Sequence, residues 1–304
     1  MNGRIAIFTD DPGWHGKQLR RAFAARGYKA EFLSLADCRV DLEAGIGGLV
    51  LPGFEERLPD GAFVRGVSGG TLEQVVLRLD FLHLLPAVGV PVYNPARAVE
   101  KSVDKAMTSL LLHQAGIPTS PSWVCESEPQ ARAILMREVA RGFELVLKPL
   151  FGSQGTGLRR LSRPADLPPP EAYQNVYYLQ RYIGPETTGW EDYRVMVIGG
   201  VGRAAMTRQG TGWINNVAQG AACLPAPKDP ELLQLAEAAT QALGMDYAGV
   251  DLMRDREGRL AVIEVNSIPA WRGLQSTTDV DIADLLAEDF IQRHVLPASL
   301  EKCA

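Results

Sequence analysis

The sequence predicts an α/β protein, a parallel helix-covered lobe at the N-terminus followed by two lobes of mixed α+β character. Three observations predict it. The chain opens as strand, helix, strand; its second half carries two antiparallel hairpin patterns; and 304 residues exceed what one compact core usually organises. The expected division is residues 1–93, 94–183 and 184–304.

"RIAIFTD" reads as a short buried strand, and "GKQLRRAFAARG" as a helix stopped at Gly27. "KAEFLSL" and "GGLVLP" are the next two strands, so the opening is a βαβ unit. No GxGxxG follows the first strand; "TDDPGWHG" puts acids there, against a dinucleotide site. A helix is expected over 71–85, then "GVPVYNP", then one helix through "VEKSVDKAMTSLLLHQAG" closed by Gly116. The middle segment offers the strands "SWVCE" and "ELVLKP", the loop "FGSQGTG" and a proline-rich surface connection, "RPADLPPP". "YYLQRYIG" is a further strand. "DYRVMVIGGVGRAAMTR" is a hairpin turning at Gly199-Gly200, followed by the loop "QGTGWINNVAQG" and a helix over 230–243.

The second hairpin is "GVDLMRDREGRLAVIEVNSIP", turning in the polar cluster Asp255-Arg256-Glu257-Gly258. An even-numbered loop about Arg256-Glu257 sets Asp251 opposite Val262 with Glu264 as its diagonal neighbour. Strand alternation then gives Asp251, Val262, Glu264 and Asn266 one face, and Ala261, Ile263 and Val265 the other. Two carboxylates on an apolar hairpin repel one another unless a cation lies between them, and diagonal neighbours sit roughly 7–8 Å apart. Oxygen ligands of this kind suit Mg²⁺ or Mn²⁺, which commonly share their shell with phosphates. Exposed acids on the wet face of a hairpin would look the same from this segment alone, so the reading turns on whether a phosphate site exists elsewhere.

Composition narrows the classes. With 46% hydrophobic and 22% charged residues and a net charge of −5, the chain offers no general footprint for nucleic acid or an anionic membrane. Cys38, Cys125, Cys223 and Cys303 form no CxxC pair, so reduced thiols and a cytoplasmic setting are expected. His15, His83, His113 and His294 are scattered, which argues against zinc. No signal-peptide pattern precedes "RIAIF", and the longest apolar run is broken by His83 and Pro86.

"ELVLKPLFGSQGTG" carries the phosphate signal. Lys148 ends an apolar strand just before Gly152, Gly155 and Gly157, where backbone N–H groups can converge on an anion that also meets a full positive charge. The lysine precedes the glycines and no GK[ST] follows, so this is not a Walker A loop. The strand around Gln180 could pair with an adenine edge through its backbone. Asp192 could accept from a ribose hydroxyl or pair with Arg194 at the surface, and Arg208 is either a phosphate clamp or a solvated cation.

In order and spacing these pieces resemble the ATP-grasp superfamily, specifically its RimK-like carboxylate–amine ligases that add glutamate. The resemblance runs from Asn94 through "NPARAVEKSVDKAMTSLLLHQAGIPTSPSW", "LVLKPLFGSQGTGL", "LQRYI", "EDYRV", "INNVAQGAA", "YAGVDLM", "IEVNSIPAWRGL" and "TTDVDIADLL". It implies ATP held between two lobes, with Lys105 and Lys148 on its phosphates under a loop of Gly152, Ser153, Gln154, Gly155 and Gly157. It further implies Gln180, Arg181, Tyr182 and Ile183 at adenine, Asp192 at ribose, Arg208 at the γ-phosphate, and Asn216 in the site. Asp251, Glu264 and Asn266 would bind Mg²⁺, with Lys148 and Arg208 catalytic.

Ile214 stands where the family commonly has arginine, and Ala218 and Gln219 replace more basic residues, which puts acceptor recognition apart from the common pattern. "FVRGVSGGTLEQVVLRLDFLHLL" and "EVNSIPAWRGL" resemble ATP-grasp proteins linked to tetrahydromethanopterin-dependent one-carbon metabolism in methylotrophs. That likeness points to a small acceptor with Arg65 and Arg272 on carboxylates and Trp271 giving it an apolar face, although a loop cap and a core tryptophan are equally consistent with sequence. The implied reaction is phosphorylation of an acceptor carboxylate followed by displacement by an amine, giving amide, ADP and phosphate. A ligase modifying a protein tail or joining other amino acids or peptides, and a non-catalytic ATP-binding regulator, are the alternatives. Partners are therefore the small acceptor and L-glutamate, without nucleic acid or membrane; self-association is compatible with the sequence and not required by it.

Overall fold

A computed structural model describes residues 3–152, 155–185, 189–215 and 220–301. In the first lobe, β1 (Gly3–Phe8), α1 (Gly13–Ala25) and β2 (Tyr28–Leu33) form the expected unit. "GGLVLP" departs from expectation: β3 (Arg39–Val40) and β4 (Leu49–Val50) make a separate antiparallel ribbon. The parallel sheet is instead completed by β5 (Gly61–Val64) and, after α2 (Leu72–Ala87), by β6 (Val92–Tyr93), in the order β2-β1-β5-β6. All four residues of β5 are buried, whereas only two residues of "GGLVLP" enter a strand. A capping box of Thr71 and Gln74 starts α2.

The single helix expected next is two. α3 (Ala96–Val103) ends at Asp104, whose carboxylate accepts from Ala106 N and Met107 N and so begins α4 (Lys105–Gln114). An Asp side chain competes with the helical backbone for its own donors, and here the cap wins. The break puts Lys105 at the first position of a new helix.

β7 (Ser122–Cys125), α5 (Glu128–Ala140), β8 (Leu145–Lys148), β9 (Arg159–Leu161) and β10 (Tyr177–Arg181) form a second, antiparallel sheet in the order β7-β10-β8-β9. The third sheet follows with β11 (Glu191–Ile198), β12 (Val201–Gln209), β13 (Ala222–Pro225), α6 (Pro230–Leu243), β14 (Tyr247–Arg254) and β15 (Leu260–Asn266). Its order is β13-β12-β11-β14-β15, and the β11–β12 hairpin turns at Gly199-Gly200. α7 (Arg272–Gln275), α8 (Ile282–Phe290) and α9 (Leu296–Glu301) close the chain.

The cores do not simply follow the sheets. Phe23 and Phe63 of the first lobe pack in one cluster with Tyr247, Trp271 and Phe290 from the C-terminal third. Ala98, Leu112 and Ile117 join the core beneath the third sheet, while the second sheet has its own cluster around Leu135, Leu147 and Tyr177. Asn94 is fully buried where these meet: its amide donates to Tyr247 O at 2.7 Å and Ser267 O at 2.8 Å, and its Oδ1 accepts from Asp246 N and Tyr247 N. Among the described residues no helix is long and apolar enough to cross a membrane.

Candidate active site

The β14–β15 hairpin corrects the expected register. Arg254 pairs with Leu260, Asp255 N donates to Arg259 O, and Gly258 takes a left-handed φ of 79°. This is a three-residue loop, not an even one. The pairing shifts again between Asp251 and Leu252, so Asp251 lies directly opposite Glu264 and Leu252 opposite Val262. That bulge returns Val262 to the core with Val250 and Val265, while Ile263 turns with Glu264 and Asn266 toward the cleft.

The cleft is a cavity of about 670 Å³ between the second and third sheets, reaching the first lobe at Arg65. Lys148, Gly155, Gln180, Asp192, Arg208, Asp251, Glu264 and Asn266 all line it. Lys148 ends β8 facing Glu264; burial, opposed by Glu264 and reinforced by Lys105, lowers its pKa to about 8. Lys105 donates to Gly152 O at 2.8 Å, tying α4 to the glycine loop. Gly157 has a left-handed φ of 75°, and a Cβ there would meet Pro149 at 2.8 Å. Ser153, Gln154, Asn216, Ala218 and Gln219 lie outside the described residues.

The charges divide into engaged and free. Arg194 grips Asp251 with two hydrogen bonds, one of 2.8 Å, and Arg208 reaches the same carboxylate at 2.9 Å and Asp192 at 2.5 Å. Asp192 and Arg194 are therefore no surface pair: each has a partner on a neighbouring strand. Burial raises the pKa of Asp192 despite Arg208, whereas the two arginines outweigh burial at Asp251 and hold its pKa down. Arg208 keeps its proton firmly, because Asp251 and Asp192 overcome the cost of burial. Glu264 has no hydrogen bond or ion pair among the described residues. The sequence understated Arg194; its signal was a charge two positions from Asp192 on the same strand face.

Gln180 is buried and spends its amide on Ser122 at 3.1 Å and Tyr178 at 3.3 Å. The Arg181 side chain leaves the cleft for Glu138, its N–H donates to Pro121 O at 2.8 Å, and its carbonyl, which accepts from Ser120 Oγ, keeps one lone pair for a ligand. Tyr182 donates to Pro185 O and accepts from Trp190 Nε1 at 3.2 Å, forming an aromatic wall beside Ile183. Ile214 also lines the cavity with an apolar side chain.

Arg65 lies 4.9 Å from the Trp271 ring centroid, and its buried Nε has no partner among the described residues. Arg272 also lines the cavity. Trp271 does not: it is 0% exposed, so the apolar face expected for an acceptor is turned into the core. Sequence also passed over His15, whose Nε2 accepts from Trp271 N at 3.1 Å and Arg272 N at 3.2 Å.

The RimK-like ATP-grasp domain family matches residues 102–290. The chain belongs to that family. This RimK-like ATP-grasp ligase is 35% identical over 242 residues to the tetrahydromethanopterin:alpha-L-glutamate ligase of Methanocaldococcus jannaschii, covering 77% of this chain and 79% of the relative. It is 30% identical over 307 residues, 97% of each chain, to the ribosomal protein bS6–L-glutamate ligase of Salmonella paratyphi B. Among solved structures, the ATP-grasp ligase PsnB with a minimal precursor superposes at a TM-score of 0.73, with 20% identity and coverage of 96% and 99%. A RimK domain protein from Sphaerobacter thermophilus superposes at 0.68, with 23% identity and coverage of 94% and 98%. These two likenesses concern the fold alone.

Lys148 yields a pH-dependent expectation. A bound triphosphate would raise its pKa from about 8, so the complex holds more protons than the free protein in the window above that value. ATP affinity should therefore weaken as pH rises through 8 to 9 and level off below. Calorimetry in buffers of different ionisation enthalpy should show proton uptake at pH 8.5. Lys148→Ala should abolish that uptake and weaken binding by about 1.5–3 kcal/mol; unchanged uptake would remove Lys148 from the phosphate site.

Proposed function

We propose that this ATP-grasp glutamate-ligase relative joins L-glutamate to a carboxylate of a small cofactor of the pterin or furan type, through an acyl phosphate, with ADP and phosphate as products. The observation that carries the reading is the set of charges in one cleft: Lys148 with Glu264, which has no hydrogen bond or ion pair among the described residues, and Arg65, which has no carboxylate partner among them, with Arg272. The first pair suits a metal-bound triphosphate and the second a carboxylate. The M. jannaschii relative, named for a tetrahydromethanopterin acceptor, supports the same class.

The donor set fits Mg²⁺ or Mn²⁺: Glu264 is a carboxylate with no hydrogen bond or ion pair among the described residues, and Asp251 and the Asn266 amide share its face. Such an ion, when bound, supplies Lewis-acid neutralisation of phosphate oxygens. Lys148 and Arg208 would stabilise charge on the transferring phosphoryl group, with Lys105 on the same phosphates. The backbone of Gln180, Arg181, Tyr182 and Ile183 would receive adenine. Asp192 would reach ribose only by sharing the carboxylate that now holds Arg208. The glycine loop at Gly152, Gly155 and Gly157 would cover the acyl phosphate and exclude water. Apolar Ile214, in place of the usual arginine, suits a flat organic acceptor better than an acidic protein tail.

Incubation with L-glutamate, ATP, Mg²⁺ and extracted pterin or furan cofactors should add glutamate-sized mass increments to a cofactor, with matching phosphate release. Labelling confined to a protein tail would overturn the acceptor class, and nucleotide binding without ADP release would overturn the ligase reading.

A further inference from the structure

Arg65 leaves β5 at the carboxyl end of the parallel sheet, beside β1, where open α/β sheets receive ligands. Among the described residues no carboxylate pairs with it. It has a weak 3.3 Å hydrogen bond from Nη1 to Ile268 O and the Trp271 ring beneath it. A guanidinium on a planar arm needs a rigid support to point one way, and Trp271 is that support. Trp271 is held in turn by His15, whose ring meets it edge-on at 4.6 Å and whose Nε2 takes the N–H groups of both Trp271 and Arg272. Trp14 packs on the same pair, at 5.1 Å from His15 and 6.5 Å from Trp271.

Both amides at the turn after β15 thus end on one imidazole nitrogen from the first turn of α1. That nitrogen must carry its lone pair, so Nδ1 carries the proton. The contact joins residues about 256 positions apart and fixes, through a single atom, the backbone that carries Arg272 and the ring that carries Arg65. A core tryptophan needs no such acceptor on its backbone, and a substrate cation needs no such clamp unless its direction matters.

We propose that His15 and Trp271 are positioning residues that aim Arg65 and Arg272 at one carboxylate-bearing substrate, so that the first lobe supplies this ligase's carboxylate recognition. The assignment rests on the ligase reading above and deepens it. The carboxylate belongs either to the incoming amino acid or to the acceptor, and two probes separate them: L-glutamate, and N-benzoyl-L-glutamate, whose blocked amine leaves only an acceptor role.

The test is calorimetric titration of each probe into the full chain with Mg²⁺ and a non-hydrolysable ATP analogue, with the analogue's own affinity measured in parallel. His15→Phe keeps a flat ring and removes the acceptor; it should weaken one probe about tenfold or more, as expected for a lost charge-assisted contact. His15→Gln returns a carbonyl oxygen and should recover most of that affinity. Arg65→Met should weaken the same probe, and nucleotide affinity should stay at the wild-type value in all three. The assignment is overturned if wild-type binds neither probe, if His15→Phe binds both as wild-type does, or if nucleotide affinity falls in step with the probe. None of these results touches the ligase reading, which falls if the wild-type chain binds no Mg²⁺–nucleotide.

Discussion

Glu264→Gln should leave a folded protein that turns over about 100-fold more slowly, a loss of about 2.7 kcal/mol in transition-state stabilisation. The isosteric amide removes one negative charge and little else. Asp251 is held by Arg194 and Arg208, so its loss would leave buried cations uncompensated and confuse chemistry with folding. Glu264 favours protonated Lys148 and Lys105 by its charge but makes no hydrogen bond or ion pair among the described residues, which makes it the cleaner probe. Thermal unfolding of the metal-free variant should stay near wild type, shifted only by the support that Glu264 gives to protonated Lys148 and Lys105. The defect should deepen at limiting Mg²⁺. Full activity at limiting Mg²⁺ would remove Glu264 from the metal site.

Asn94→Leu has the largest expected effect on stability. Its amide makes four hydrogen bonds, all to backbone groups of the β14 start and the Ser267 turn. Leucine is close in volume but pairs with none of them, leaving two carbonyls and two N–H groups buried. At about 1–3 kcal/mol for each unsatisfied group, partly relieved by relaxation, a loss of about 3–5 kcal/mol is expected. At about 2–4 °C per kcal/mol, Tm should fall by about 10 °C. An unchanged melting curve would mean that the junction is held by packing alone.

Much of the fold was legible because periodicity and turn residues are local signals. The opening strand and helix and the Gly199-Gly200 hairpin stand as read. The failures share a cause in tertiary choice. "GGLVLP" has better strand residues than its role shows, and β5 took its place in the sheet through buried packing. Asp104 broke a continuous helical pattern because its carboxylate found two backbone donors. The hairpin register needed both a loop length and a bulge, and each alone reverses which side chains face the cleft. Within the site, residue identities were legible but partners were not. Asp192, Arg194, Arg208 and Asp251 come from three strands, and only their register decides which carboxylate neutralises which guanidinium. Trp271 was legible as a large apolar residue beside the proposed metal ligands, and its direction was not.

The distribution of the cores gives the molecule a base and a jaw. The first lobe and the C-terminal helices share one set of buried aromatic rings, and α3 and α4 are rooted in the core beneath the third sheet. Those parts cannot separate without opening a core to water. The second sheet owes its cohesion to its own side chains, and one of its attachments is narrow: Pro118 O accepts from Val262 N, and Thr119 Oγ1 donates to Val262 O at 3.0 Å. Lys148 and the glycine loop ride on the jaw, while Asp251, Glu264 and Arg65 are set in the base. Lys148 thus faces the Glu264 and Asp251 carboxylates across the mouth, and a triphosphate with its cation would satisfy both at once. We infer that a nucleotide without its terminal phosphate would hold the two sides together less firmly.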